Sequence, residues 1–501
     1  MTAKLNKVPF EDALTMTGFS KFNYFVFALC SSIIMGMCFE IFSVAYLVPA
    51  SVCELNTTSS QQGLMAGTPL IGIIATSHIW GYLADTRGRK KVLCFSMFLG
   101  FVTGAMAALS PNWIVFSVLK LCASSAVSGS FALSIALLSE CTPVAKRSTL
   151  IMLTTTVFMS CTGIMAVLAI PVLPLPFSYY IPVFGIQFNS WRLLSLIYTI
   201  PCALSSFGLL FAYESPKYLL SIGDQVNALK TLREIFVINN GKDGDSYPVN
   251  SVILDEDNLG GNIKGFWASI KAQTVPLMKP PLLYNTLLLA AIFLTVYFSL
   301  NPFIVWMPYL VDGFMRSIEI GADGMNFCEM IKSAQNTTTT TQVTDNCALN
   351  ETAMTMVFVT GMLLAVLNTL MSVLINYLGR KNLLIGLQLF AGVSALCLNL
   401  SYNWILSAIL FVVFIAGNLN FGLLSTFSVD LFPTYVKAMA VCLTLMVGRG
   451  GAVLGINLLK NLLDSNCGAA FYIFGSVACL GGIFGFLLPS DKKMSDQNKL
   501  V

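Results

Sequence analysis

The chain has 501 residues, of which 56% are hydrophobic and only 10% charged, with a net charge of +4. A soluble globular domain carries about 25% charged residues, so this composition excludes one and points to a chain that mostly faces lipid or its own membrane helices. The net charge says little; where the lysines and arginines fall says more.

The first 21 residues are polar and mixed, with no apolar core and no small-residue cleavage site, so the first membrane helix is expected to be the targeting signal. Six apolar stretches follow, at 23–47, 64–84, 92–109, 113–139, 148–171 and 191–212. After a polar segment come six more, at 284–310, 353–377, 383–402, 404–428, 438–459 and 469–488. Each is close to the ~20 residues a helix needs to cross a bilayer. The expected fold is all-α: a polytopic membrane protein with 12 transmembrane helices in two six-helix bundles. The expected divisions are 1–213 for the first bundle, 214–282 for a cytoplasmic linker with short amphipathic helices, and 283–501 for the second bundle, with an outer loop at 311–352. Two related halves are the layout of a transporter.

Span 1 contains "SSIIMGMCFEIFSV", with Glu40 in an otherwise apolar run. A central charge in lipid costs about 2.5 kcal/mol or more and needs a partner, a wet cavity or a role. Lys120 in span 4 falls at a similar depth, because alternate spans run in opposite directions. The two form either a pair that only holds helices together or a cavity carboxylate with its cation. His78, the only histidine, lies in span 2 and reads as a packing or hydrogen-bonding residue near the signature loop, with a proton role as the alternative.

Span 2 leads into "GYLADTRGRKK", residues 81–91. Gly81 and Gly88 allow close packing and a tight turn. Asp85 can meet a neighbouring helix N-terminus, which favours a carboxylate, and Arg87 and Arg89 hold the loop on the cytoplasmic face. In the linker, Leu229, Leu232 and Phe236 fall at helical spacing, "NNGKDGDSYPVN" reads as flexible, and "GNIKGFWASI" reads as the start of a second short helix. Tyr297, Trp306 and Tyr309 of span 7 suit aromatic contact with a solute. The outer loop carries "NTTTTTQVT", a polar run that cannot build a core. After span 8, "NYLGRKN" repeats the span 2 loop in reduced form at Gly379 and Arg380. Arg449 falls near the middle of span 11, where it suits an anionic or carboxylate solute or else pairs with a carbonyl or Glu40.

With the N-terminus in the cytoplasm, 22 of the 28 basic residues lie on the cytoplasmic side and four lie outside, as the positive-inside tendency requires. The sequons at Asn56, Asn336, Asn350 and Asn399 all fall outside; the first three are expected acceptors and Asn399 is too close to the bilayer. Cys53, Cys328, Cys347 and Cys467 also lie outside, and Cys328 with Cys347, sharing one loop, is the expected disulfide, with the other two pairings left open.

The loop "G-x-L-A-D-x-x-G-R-K" resembles the signature of the major facilitator superfamily, and its echo after span 8 strengthens the resemblance. Glu140 and Arg147 after span 4, "ESPKYLL" from Glu214, and "VDLFPTYVKA" with Asp430 and Lys437 resemble elements of the sugar-porter, organic-ion and synaptic-vesicle-protein-2 branches. "FEDALTMTGFSKFNYF", "WGYLADTRGRKKVL" and "VWMP" are most similar to the synaptic vesicle protein 2-related transporters, over almost the whole chain. The resemblance implies that spans 1 and 4 line a central cavity, that Trp306 occupies a cavity-lining aromatic position, and that these charged elements gate the cytoplasmic side. The chain departs from those relatives at Met37, where they carry an aspartate, and at Lys120, Ser124 and Ser128, where they carry arginine and glycines.

The expected function is secondary transport of a small organic ion by alternating access, with or without a coupling proton or cation. The alternatives are a sugar-like solute porter and a non-transporting receptor or trafficking protein. The expected partners are the lipid bilayer, of the plasma membrane or an intracellular vesicle, and a small-molecule substrate. No phosphate-binding loop, zinc-ligand spacing or nucleophile motif is present, so no enzyme activity, metal, cofactor or nucleic acid is expected.

Overall fold

The computed structural model describes residues 7–253, 271, 274–321, 324–340, 350–432 and 434–489. Eleven helices among them are long and apolar enough to cross a membrane. The last of these, Met439–Gly485, holds two spans in one run, because Asn466 leaves helical geometry at φ −147°. The chain therefore has twelve spans in the expected order.

Polar residues set several span starts. Thr58 and Gln61 exchange hydrogen bonds in a capping box that opens span 2 (Ser59–Arg87). Asn112 accepts from the Val115 amide (2.9 Å) to open span 4 (Trp113–Glu140). Span 1 runs over Lys21–Leu55, longer than expected, with a break at Ser43. Gly88 (φ +99°) and Gly379 (φ +77°) make the turns after spans 2 and 8 in a conformation that disfavours any side chain. The repeated loop is thus repeated in backbone as well as in sequence.

Within the first half, span 3 (Arg89–Ala107) packs on spans 4 and 6, and span 1 packs on span 6 (Ser190–Phe211). Within the second, span 7 (Leu282–Val305) packs on the run holding spans 11 and 12, and that run packs on span 9 (Arg380–Leu398). The halves meet along spans 2 and 11 and along span 5 (Val144–Ala169) with span 8 (Glu351–Leu378). Glycines mark both seams at the end far from the signature loop. A Cβ on Gly63 would lie 2.9 Å from Asn457 Oδ1, and one on Gly361 would lie 2.8 Å from the Gly163 nitrogen.

Two polar segments depart from expectation. Phe10, Ala13 and Leu14 pack with Leu232, Phe236, Tyr247, Val249 and Val252 into a second small core beside the bundle. Val8–Pro9 pairs in parallel with Val252–Ile253, and the Tyr247 hydroxyl donates to the Ala13 carbonyl (2.7 Å). Burial pushes the Tyr247 phenol above its ordinary range, with Arg233 opposing weakly. The stretch read as flexible is therefore half core, since Tyr247 and Val249 are buried with it; "GNIKGFWASI" lies outside the described residues. The outer loop carries helices Met307–Glu319 and Phe327–Thr340, and the second of these runs into the threonine tract.

The disulfide expectation is corrected. Cys328 is bonded to Cys467, with Cα atoms 5.7 Å apart, and not to Cys347, which lies outside the described residues. Phe327 stacks on Phe314 and Phe411 and meets Phe471 edge-on, which brings Cys328 to the bend between spans 11 and 12. Shared loop membership was a weaker constraint than this aromatic packing. Cys53 is disulfide-bonded as well.

Candidate functional site

A cavity of about 130 Å³ lies where the halves face each other, lined by spans 1, 2, 4, 5, 7, 8, 10 and 11. Its walls are mostly apolar. Phe131 and Phe158 form one side and Tyr297 and Phe421 the other; Phe158 and Phe421 stack across the gap at 6.1 Å and 27°, and Tyr297 meets Phe421 edge-on at 6.0 Å. Four small polar groups, Ser128, Thr162, Asn301 and Asn418, break the apolar surface. Arg449 is the one charged lining residue, and among the described residues it has no ion pair or hydrogen-bond partner.

Two of the five expected cavity residues, Tyr297 and Arg449, line this space. Glu40, Lys120 and Trp306 do not. Glu40 and Lys120 do meet: Lys120 Nζ donates to Glu40 Oε2 at 2.9 Å, and both side chains are 0% exposed. Their pairing is enclosed within the first half. A Cβ on Gly104 of span 3 would overlap the Glu40 carboxylate, so the acid presses against span 3 and away from the cavity. Helical phase explains the misplacement. Gly36 and Glu40, four apart, share the face toward spans 3 and 6, where a Cβ on Gly36 would lie 2.9 Å from Cys202 Sγ. Met37 and Ile41, also four apart, share the cavity face. The position where the resembling relatives carry an aspartate is thus at the wall, and here it is a thioether.

Trp306 is 1% exposed and closes span 7 at the far end. Its indole donates to the Ile456 carbonyl (3.2 Å), and Lys460 lies over both Trp306 (5.5 Å) and Tyr309 (4.3 Å). It packs beyond the cavity and is not part of its lining. His78 is half-buried in span 2 and does not line the cavity.

At the signature-loop end, the expected gating residues mostly pair inside the first half. Arg89 lies 2.8 Å from Glu140, which also accepts a short hydrogen bond from Ser215. Glu214 accepts from the Lys90 amide (2.9 Å) and lies against Gly88, where any Cβ would collide with it. Arg147 pairs with Glu11 (2.7 Å), an acid the sequence had not singled out. The Asp85 carboxylate is 74% exposed and 3.7 Å from Arg89. Arg87 is exposed, and a Cβ on Gly81 would meet open space. Arg380 lies over the Phe427 ring (5.3 Å). The side chains of Asp430 and Lys437 are outside those described.

At the far end, Asn56 is exposed in a left-handed conformation that ends span 1. Asn350 caps span 8, accepts from the Thr352 amide and donates to Glu319 (2.9 Å). Asn399 donates to the Gly468 carbonyl (3.3 Å), and the Asn336 side chain is outside those described. The start of span 6, Ser190-Trp191-Arg192, is a clamp. Arg192, fully buried, donates to Glu54 (2.7 Å) and to the carbonyls of Ala108 and Ser110 (2.8 Å each).

The wall residues missed from sequence include Ser128, Thr162, Asn301, Asn418 and the four phenylalanines Phe42, Phe131, Phe158 and Phe421. Asn301 in "FSLNPF" and Asn418 in "AGNLN" were legible as amides in apolar spans. The phenylalanines carried no signal among 36 in the chain.

The family model described as Major Facilitator Superfamily matches residues 28–326. The chain is 24% identical to synaptic vesicle 2-related protein of Xenopus laevis over 96% of its own length and 81% of that protein. It is 23% identical to synaptic vesicle glycoprotein 2B of Homo sapiens, spanning 61% of its own length and 47% of that protein. Its fold is similar to the inward-open xylose transporter XylE from E. coli, with a TM-score of 0.65 at 14% identity over 96% of this chain and 99% of that one. It is also similar to the nucleoside transporter NupG, with a TM-score of 0.62 at 11% identity over 92% and 99%.

Proposed function

This chain belongs to the Major Facilitator Superfamily, and on that premise we propose that it is a secondary active transporter of a small organic anion. Its two bundles alternate access to the central cavity. The observation that carries the anion reading is Arg449, the one charge on the wall, without an ionic partner among the described residues. A guanidinium in a water-poor space gains most from a carboxylate or phosphate that takes two of its N–H groups. The aromatic walls suit an apolar body behind that head group. Among the described residues no Asp or Glu lines the space, which argues against a coupling proton carried by a wall carboxylate.

A sugar-like solute is the second reading. It is favoured by the neutral hydrogen-bonding groups of Asn301, Asn418, Thr162 and Ser128 and by the fold's likeness to a xylose transporter. Uptake by the purified protein in liposomes separates the readings. Labelled organic anions and neutral sugars would be offered to the unsubstituted chain and to Arg449→Gln. Anion uptake lost in Arg449→Gln supports the proposal. Sugar uptake that survives the substitution transfers the site to the second reading. Uptake of neither by well-folded protein favours a receptor or trafficking role.

The proposed setting is the plasma membrane or an intracellular vesicle membrane, with both termini and the signature loop cytoplasmic, from the distribution of basic residues. The outer end then carries the sequons, and of the described side chains Asn56 is an exposed acceptor. Glycosidase treatment should lower the apparent mass, and Asn56→Gln should reduce that shift. An epitope at residue 2 that antibodies reach on intact cells would reverse the orientation.

A further inference from the structure

Between spans 5 and 6 the chain forms a hairpin at the far end of the first half. Ser178–Ile181 pairs antiparallel with Ile186–Asn189, in the register Tyr179 to Phe188 and Ile181 to Ile186. Gly185, at φ +63°, completes the turn. Residues 170–189 contain no Asp, Glu, Lys, Arg or His. Their composition therefore differs from the other large far-end loop, where Asp312, Arg316, Glu319, Glu329 and Lys332 fall.

The pleat sorts the hairpin into two faces. Tyr179, Ile181, Ile186 and Phe188 share one, and Ser178, Tyr180, Gln187 and Asn189 the other. Ile186 is buried against the body of the protein, and Phe177 packs on Tyr179 (5.9 Å) and Phe188 (6.2 Å). The tip and outer edge are open: Val183 is 85% exposed, Tyr179 69%, and Phe184 49%. A lone two-stranded ribbon is marginal in water, and a continuous exposed apolar patch marks a surface that something covers.

We propose that this hairpin is a membrane-interface anchor, with its tip and tyrosines seated in the headgroup–acyl boundary of the far-end leaflet. Three observations favour lipid over a protein partner. The segment is uncharged throughout, so seating it against the acyl chains buries no charge. Tyrosine is a residue of membrane–water interfaces. The spans on either side of the hairpin also expose apolar side chains, Val167 on span 5 and Ile200 on span 6, as does Leu175 between span 5 and the hairpin. The anchor is rigidly mounted. Asn189 Nδ2 and Trp191 Nε1 both donate to Glu54 Oε2 (2.8 and 2.7 Å), and Arg192 donates to Glu54 Oε1. Whatever depth the hairpin takes is thereby imposed on spans 1 and 6. The first half is held at fixed depth while the second moves against it.

The test uses the full-length protein in phosphatidylcholine nanodiscs. Val183→Cys and, as an aqueous reference, Lys332→Cys are labelled with an environment-sensitive NBD probe. The unsubstituted chain is labelled in parallel to subtract native thiols such as the exposed Cys122. The label at 183 should emit at shorter wavelength than that at 332. It should be quenched several-fold more by lipids bearing a nitroxide high on the acyl chain, and less by aqueous iodide. Tyr179→Cys repeats the reading on the apolar face if the tip label disturbs folding. Emission and iodide quenching equal to the Lys332 label at both positions would place the hairpin in water and overturn the proposal, leaving the patch to a protein partner.

Discussion

Lys120 and Arg449 are both cations inside the membrane bundle, and the protein treats them in opposite ways. Lys120 is sealed inside the first half, 2.9 Å from Glu40, with neither side chain exposed. Arg449 faces the space between the halves and has no carboxylate among the described residues. A paired and enclosed charge has its desolvation offset by its neighbour and has nothing left to offer a solute. A charge left at a cavity wall has no such offset, and on the proposed function it is the group that recognises the solute.

The sharpest way to break this comparison is to unpair Lys120. Glu40→Gln should leave a buried lone cation at a cost of about 3–5 kcal/mol, by analogy with buried pairs in soluble proteins. The folded yield on size exclusion should collapse, and Lys120→Met added to it should restore both yield and uptake. An inactive but well-folded double variant would return Glu40 to the transport machinery. The matching change at the wall, Arg449→Met, should leave yield near normal and reduce anion uptake at least tenfold, or ~1.4 kcal/mol. Arg449→Lys should recover only part of it, because an ammonium cannot make the bidentate contact. If the yield of Arg449→Met falls as far as that of Glu40→Gln, the distinction between the two cations fails.

Two milder changes probe the frame around the cavity. Gly361→Val must push against the backbone of Gly163, since even a Cβ would lie 2.8 and 2.9 Å from its N and Cα. It should hold the far end ajar, slow uptake several-fold and make Asn457→Cys more reactive to a membrane-impermeant maleimide. Unchanged reactivity would mean the seam is not a gate. Asp85→Asn should have the smallest effect on stability, within ~0.5 kcal/mol, because the carboxylate is 74% exposed and only 3.7 Å from Arg89. A modest slowing of uptake with unchanged Tm is expected; unchanged uptake would reduce the loop to an anchor.

The sequence carried the spans and their order because hydropathy over about twenty residues is a strong signal. It carried the Glu40–Lys120 pairing too, because depth in a bilayer can be counted along two helices. What it could not carry was rotation. Span 1 is apolar on every side, so nothing in its pattern says whether Glu40 or Met37 faces the cavity. The same ambiguity hid the phenylalanine walls and let Trp306 be expected at the site when it packs beyond the cavity. The Cys328–Cys467 bond was hidden for another reason: it joins residues 139 apart, through a stack of aromatic rings that no local spacing announces.

The pairing of Val8–Pro9 with Val252–Ile253 has a consequence for how the two bundles are tied. Counted along the chain, the bundles are joined from Phe211 to Leu282. The front of the chain pins the connection at Ile253 to its own bundle, and Leu277, just before span 7, is buried in the main core, so the connection is tied at both ends. A shortened product lacking the first eighteen residues would keep every span, yet lose the strand that holds Val252 and Ile253. Tags and proteolytic clips at this end therefore act on the connection between the bundles and not on the cavity wall.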